Sequence, residues 1–326
     1  MSFDRDKMKS AVAALAAKGV FIGTSSWKYP GWFGQLYDHD RYVWRGRFSK
    51  ARFEKLCLAE YAQVFKSVSV DAAYYQFPSH RWLEEMVALV PADFQFALKV
   101  TDEITLKQFP NQPRFGRRAG QPNANFLNAD LFATAFLGAC ESFKPNIGLL
   151  MFEFSQFHSG EFGRGREFLT ALDEFLGKLP GGWPYAVEIR NRNFLRAEYF
   201  AVLARHGAAH VFNSWTDMPP VSEQAALPGS FTSPEFLAAR LLLRPGRKYE
   251  DAVKRFSPYE RVQDPDPAGR RAVANLIKRV IQHDHRTRGY IYLNNRFEGN
   301  ALASIAAILD ETEPDGAQCQ PPMNAD

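Results

Sequence analysis

The chain has 326 residues and a mass of 37.0 kDa, with 40 Lys+Arg against 36 Asp+Glu, a net charge of +4. Hydrophobic residues make up 46% and charged residues 23%, which excludes a disordered or collagen-like chain and leaves one large domain or two medium ones. A net +4 is too small to mark a nucleic-acid binder by itself, and aromatics at 14% imply large buried surfaces or stacking sites.

Met8, Val12 and Leu15 stand at helical spacing and predict a short amphipathic helix within an N-terminal extension, 1–19. Asp4, Asp6, the Ala-rich run 11–17 and Lys18 argue against a signal peptide. No apolar run approaches the roughly 18 residues of a membrane span. A cytoplasmic protein without membrane contact is the expectation. Cys57, Cys140 and Cys319 are far apart with no CxxC pairing, so neither a disulfide framework nor a zinc site is expected.

Eight strand-like runs follow, at 20–25, 67–75, 94–100, 147–154, 185–190, 208–215, 237–244 and 289–295. Helical patterns lie between most of them, at 50–65, 80–90, 131–143, 166–179, 197–206, 269–283 and 301–309. This alternation predicts an α/β fold with parallel strands, and the eight units fit a single (β/α)8 TIM-type barrel over 20–310. An open doubly wound sheet is the alternative, but no GxGxxG follows the first run. Residues 107–126 form a long polar insertion after the third strand, and 311–326 read as a disordered tail.

In such a barrel the C-terminal strand ends face the active-site mouth. Ser69 and Asp71 share a face, Lys99 closes the third strand, and Glu153 closes the fourth. Glu188 and Arg190 lie two apart on the fifth. The sixth ends at Trp215, the seventh at Arg244, the eighth at Asn294 and Asn295. Charged groups inside a barrel are costly unless paired.

The segment from Gly23 to Trp32 (GTSSWKYPGW) with Leu36-Tyr37 resembles the opening motif of the domain-of-unknown-function family number 72, also called YecE-like. The resemblance continues through Tyr74-Tyr-Gln-Phe-Pro78, Phe94-Gln-Phe-Ala-Leu-Lys99, Ile104-Thr105, Phe152-Glu153, Ala186-Val-Glu-Ile-Arg190 and the stretch Leu293 to Ala301. It spans about residues 20–310 in order. It implies a TIM-type barrel whose function is uncharacterised. The chain departs from the family pattern at Ser69-Val-Asp71, Thr105-Leu106, Glu153-Phe-Ser-Gln156 and Asn191, so several polar mouth positions have changed type.

The candidate chemistry is acid/base work by Glu188, Lys99, Glu153 and Asp71. Glu188 is the expected base and Arg190 the stabiliser of developing negative charge. Lys99 reads either as a Schiff-base lysine or as a salt-bridge partner of Glu153 or Glu188. The three carboxylates read alternatively as oxygen ligands of a divalent metal, although His210 is the one histidine near a strand end and sits early in its strand. No cofactor and no metal ligand are assigned. Trp27, Tyr29, Trp32 and Tyr37 crowd the first loop. They suit either stacking on a sugar or base, or a lid that plugs the barrel. Tyr74 and Trp215 join the substrate-binding candidates. Asn300 reads as a helix cap, and Gly23 and Gly299 as backbone-geometry residues.

Charge is uneven: residues 240–288 hold 13 Lys+Arg against 6 Asp+Glu, a net +7, which leaves −3 elsewhere. Arg244 and Arg247 follow the seventh strand, where barrels often bind phosphate. The expected partner is therefore an anionic small molecule, a phosphorylated or acidic sugar-like compound. Two alternatives stand beside it. One is a non-catalytic nucleic-acid binder using Arg114–Arg118 and the basic face. The other is a divalent-metal phosphodiesterase-like barrel.

Overall fold

The computed structural model describes residues 3–157, 160–162, 165–283 and 287–312. The barrel strands are β1 (Val20–Ser25), β2 (Ser67–Val70), β3 (Gln95–Lys99), β4 (Ile147–Phe154), β5 (Tyr185–Ile189), β6 (Ala209–Ser214), β7 (Phe236–Leu241) and β8 (Arg288–Leu293). All pair in parallel, each with its neighbours in the chain, and β8 closes on β1. Helices follow the strands because only a crossover can return the chain to a parallel neighbour.

Alternation along each strand builds two cores. Outward residues such as Val20, Ile22, Val68, Phe152 and Val187 pack against the helices. Inward residues fill the barrel: Ala97, Leu149, Met151, Ala186, Val211, Ala238, Tyr290 and Tyr292. Gly23 has no room for a side chain, since a Cβ there would lie 2.1 Å from the Ser67 carbonyl oxygen. Gly299 has φ +115°, a conformation that L side chains rarely adopt.

The helix Arg5–Ala17 precedes β1, capped by Asp4 and buried through Met8, Val12 and Leu15. A 2.8 Å ion pair joins Lys7 to Asp310 on the last helix. That helix, Ala301–Thr312, includes Glu311 and Thr312, the first two residues of the expected tail; residues 313–326, with Cys319, lie outside the described residues. Cys57 and Cys140 are buried free thiols. Asn300 caps the last helix by accepting from the Ala303 N–H at 2.8 Å.

Several predicted boundaries are corrected. The run 67–75 is strand only to Val70, because Asp71 has helical φ/ψ and starts the turn Ala72–Tyr75. The run 237–244 ends at Leu241, since the N–H groups of Leu242 and Leu243 both go to the one carbonyl of Ser214. The helix expected over 131–143 is broken. A π turn, Phe132–Leu137, buries Phe132, Phe136 and Leu137 together, and a 3-10 turn, Glu141–Asn146, carries Pro145. The helices Val221–Ala226 and Tyr249–Phe256 lie where sequence periodicity marked nothing. Among the described residues no helix is long and apolar enough to cross a membrane.

Candidate functional site

The inward face at the C-terminal end of the barrel carries three cations and three carboxylates. Arg240 of β7 lies at the centre. Its Nη1 donates to Glu188 Oε2 at 2.6 Å and to Glu153 Oε2 at 3.1 Å, and its Nη2 donates to Asp71 Oδ1 at 3.2 Å. Arg190 donates from Nε to Glu188 Oε1 at 3.0 Å and from Nη2 to Glu153 Oε2 at 2.7 Å. Lys99 Nζ is 2.6 Å from the same Glu153 oxygen. One carboxylate oxygen of Glu153 therefore receives three cations, and both oxygens of Glu188 are taken by guanidinium groups.

The strands make this possible through what lies one layer down. Ala97 precedes Lys99 by two residues, Ala186 precedes Glu188, and Ala238 precedes Arg240. A small residue under each long charged chain leaves room inside the barrel. Aromatic rings flank the cations: Lys99 lies 3.6 Å from the Tyr74 ring centre, and Arg190 lies 3.9 Å from that of Trp215. Such contacts stabilise a cation most where water is excluded.

Burial sets the electrostatics. Burial would raise the Glu153 carboxyl, but Arg190, Lys99 and Arg240 together hold it down at about 2. Burial would lower the Arg240 guanidinium, and Glu188, Asp71 and Glu153 instead hold it above its ordinary value. For Lys99 burial prevails and its pKa is lowered, with Glu153 and Asp71 opposing. The side chains of Glu188, Glu153 and Arg240 are 0%, 2% and 3% exposed and those of Lys99 and Arg190 are 10% and 11%, whereas Asp71 is 34% exposed.

Asp71 stands under a rim built from four loops. Tyr75 and Tyr249 are exposed there. Each is backed by an arginine, Arg114 at 5.1 Å from the Tyr75 ring and Arg296 at 4.7 Å from the Tyr249 ring. Burial raises the Tyr75 phenol, and Asp71 and Tyr249 are near enough to add to it. Burial likewise raises Tyr29 to about 12, against Arg296 and with Asp71, Tyr259 and Tyr249. Arg114 is paired with Asp102 at 2.7 Å, while Arg296 has no salt-bridge partner among the described residues and its buried Nε has no hydrogen-bond partner.

The other sequence candidates lie outside the lattice. Arg244 and Arg247 share Asp264, Arg244 at 3.1 Å, and Arg247 also donates to the Phe297 carbonyl at 3.0 Å. Asn295 Oδ1 accepts from the Ala301 N–H at 2.8 Å and from Trp32 Nε1 at 3.3 Å, so it positions the last helix. Asn294 Oδ1 accepts from the Arg296 N–H at 3.0 Å. Trp27, Trp32 and Tyr37 are buried, and the Tyr37 hydroxyl donates to the Trp27 carbonyl at 2.5 Å. Trp32 and Tyr37 thus pack in an aromatic cluster with Tyr29, Phe33, Tyr42 and Phe53. His210 is buried within β6, and its Nδ1 is 3.3 Å from the Tyr199 hydroxyl.

Sequence reasoning missed Arg240, Arg296 and the two rim tyrosines. The spacing Ala-x-charged, shared by β3, β5 and β7, was the available signal for Arg240. Among the described residues no three His, Cys, Asp or Glu side chains are grouped to hold a metal ion. The Arg240 guanidinium occupies the space between Asp71, Glu153 and Glu188, so the donor set does not fit a divalent cation.

The profile of the family described as "Protein of unknown function DUF72" matches residues 21–326. A DUF72 family protein of Enterococcus faecalis V583, of known crystal structure, is 18% identical; the match covers 94% of this chain and 100% of that one at a TM-score of 0.58. A DUF72 family protein of Thermotoga maritima MSB8 is 17% identical, with coverages of 89% and 96% and a TM-score of 0.53. At these identities the likeness speaks for the fold. No curated protein matches the chain. The barrel and the matched profile agree: the chain belongs to the DUF72 family.

Proposed function

We propose that the mouth performs acid/base chemistry on a phosphorylated or acidic sugar-like small molecule, with Asp71 as the accessible carboxylate. The observation that carries this reading is the contrast in exposure: Asp71 is 34% exposed, and the other five charged groups are 11% exposed or less. Asp71 is joined to the lattice through Arg240 alone, so one oxygen is held and the other is left for a substrate proton. Lys99, whose pKa burial lowers, is the nearby group best suited to exchange a proton with it. Arg296, with no carboxylate partner, takes the ligand's negative charge, and Tyr75 and Tyr249 supply flat faces for a ring.

Glu188 does not suit the role of base that its spacing to Arg190 suggests. A fully buried carboxylate with both oxygens on guanidinium groups cannot reach a substrate. Arg244 and Arg247, committed to Asp264, likewise give way to Arg296 as the anion contact. The non-catalytic nucleic-acid reading on Arg114–Arg118 and 240–288 is not favoured, since Arg114, Arg118, Arg255 and Arg270 are paired to Asp102, Glu103, Asp264 and Glu298.

The test is a panel of sugar phosphates and sugar acids incubated with the protein and followed by proton NMR. At least one compound is expected to be converted, and Asp71→Asn is expected to slow that conversion at least about 100-fold. Conversion by Asp71→Asn at the wild-type rate, or no conversion of any compound by the wild type, would overturn the reading.

A further inference from the structure

Beyond the first-loop aromatics, the loop between β1 and the helix Lys50–Tyr61 forms a two-stranded hairpin. Val43–Trp44 pairs antiparallel with Arg47–Phe48, Val43 opposite Phe48 and Trp44 opposite Arg47. Arg45 and Gly46 fill the turn, both with positive φ (51° and 73°). That is the type I′ geometry whose twist matches the strands. Asn or Gly is favoured at the first central position, so an arginine held at φ 51° costs backbone energy. Among the described residues neither Arg45 nor Arg47 makes an ion pair that would offset it.

The two faces of the hairpin differ. Phe48 turns toward the body, 5.5 Å from the Phe33 ring centre and 6.0 Å from that of Phe53, and anchors the hairpin. Trp44 points the other way and is 60% exposed. Arg47 is its cross-strand partner, and the Arg52 guanidinium lies 6.0 Å from its ring centre. Residues 43–52 hold Arg45, Arg47, Lys50 and Arg52 and no acidic residue. An exposed indole thus has two guanidinium groups beside it, Arg47 and Arg52, neither in an ion pair among the described residues, while Lys50 of the same segment lies 3.7 Å from Glu54.

We propose that this hairpin binds single-stranded nucleic acid, with a base stacked on Trp44 and backbone phosphates on Arg45 and Arg47. The chemistry is that of known single-strand sites: an aromatic platform accepts any base, and basic side chains track the phosphates. Arginine meets a phosphate oxygen pair with two parallel N–H groups. A membrane surface fits less well. Insertion strength follows buried apolar area, and here the exposed apolar surface is one indole and part of Phe48, which is 39% exposed although its ring packs on Phe33 and Phe53. The proposal uses none of the charged residues of the mouth and stands or falls separately from the chemistry there.

The experiment uses the full chain and a fluorescein-labelled 20-nucleotide oligothymidylate, with binding read by anisotropy at several salt concentrations. Trp44→Ala is expected to weaken binding about tenfold. The pair Arg45→Gln and Arg47→Gln is expected to reduce the slope of log affinity against log salt by about 1.4. Both changes are at exposed positions, and an unchanged circular dichroism melt keeps the reading clean. No binding at low salt, wild-type affinity in Trp44→Ala, or a Trp44-dependent preference for phosphatidylserine vesicles over the oligonucleotide would each overturn the proposal.

Discussion

Two clusters of arginine and carboxylate sit at the same end of the barrel, and they behave differently. In the mouth, Arg240 and Arg190 meet Glu153 and Glu188 inside the barrel, all nearly without solvent. On the loops outside, Arg244, Arg247 and Arg255 gather on Asp264, which is itself 25% exposed. The charges are similar and the surroundings are not. In the barrel each ion depends on its partners, because no water can replace them. On the loops water and salt screen the contact. A count of charge along the chain therefore says little about which cation is free to bind a ligand. Among the described residues Arg296 has no carboxylate partner, although the +7 excess of 240–288 lies elsewhere.

The comparison can be broken most directly by removing the central ion on each side. Arg240→Met leaves Glu188 and Glu153 short of a buried cation and is expected to cost about 3–5 kcal/mol of unfolding free energy. Asp264→Asn, in the looser cluster, is expected to cost about 1 kcal/mol or less. Urea denaturation measures both; equal losses would show that burial does not separate the two clusters.

Acid should weaken the buried groups more gently. Burial lowers the His210 imidazole from 6.5 to about 3, so the folded state binds fewer protons there than the unfolded chain. Stability should fall as pH drops from 6.5 towards 3. The Glu153 carboxyl, which burial would raise, is held by Arg190, Lys99 and Arg240 at about 2 against an ordinary 4.5, so its contribution is complete above pH 4.5 and lost as pH falls towards 2. The urea midpoint should therefore decline from pH 6.5 and more steeply below 4.5. A flat midpoint between pH 6.5 and 3 would contradict both assignments.

Much of this was legible in the sequence where the signal is local. Period-two alternation placed Glu188 beside Arg190 and put Lys99 and Glu153 at strand ends. The run Ile147–Phe154 was read with its true limits, because eight consecutive apolar-rich residues admit no other strand. Arg240 was hidden for two reasons. It lies inside a run of leucine and alanine, four residues before the more visible Arg244. Its partner Asp71 is also 169 residues away, a pairing that only closure of the barrel creates. Arg247 misled in the opposite sense, since nothing in its neighbourhood announces that Asp264 will fold back to meet it.

The division of the mouth into a buried lattice and one accessible acid is tested most directly by the urea unfolding free energies of Glu188→Gln and Asp71→Asn, measured side by side. The amide of Glu188→Gln would face two guanidinium groups in the dry interior, and its loss should exceed that of Asp71→Asn by at least about 2 kcal/mol. Equal losses, or a larger one for Asp71→Asn, would contradict the account.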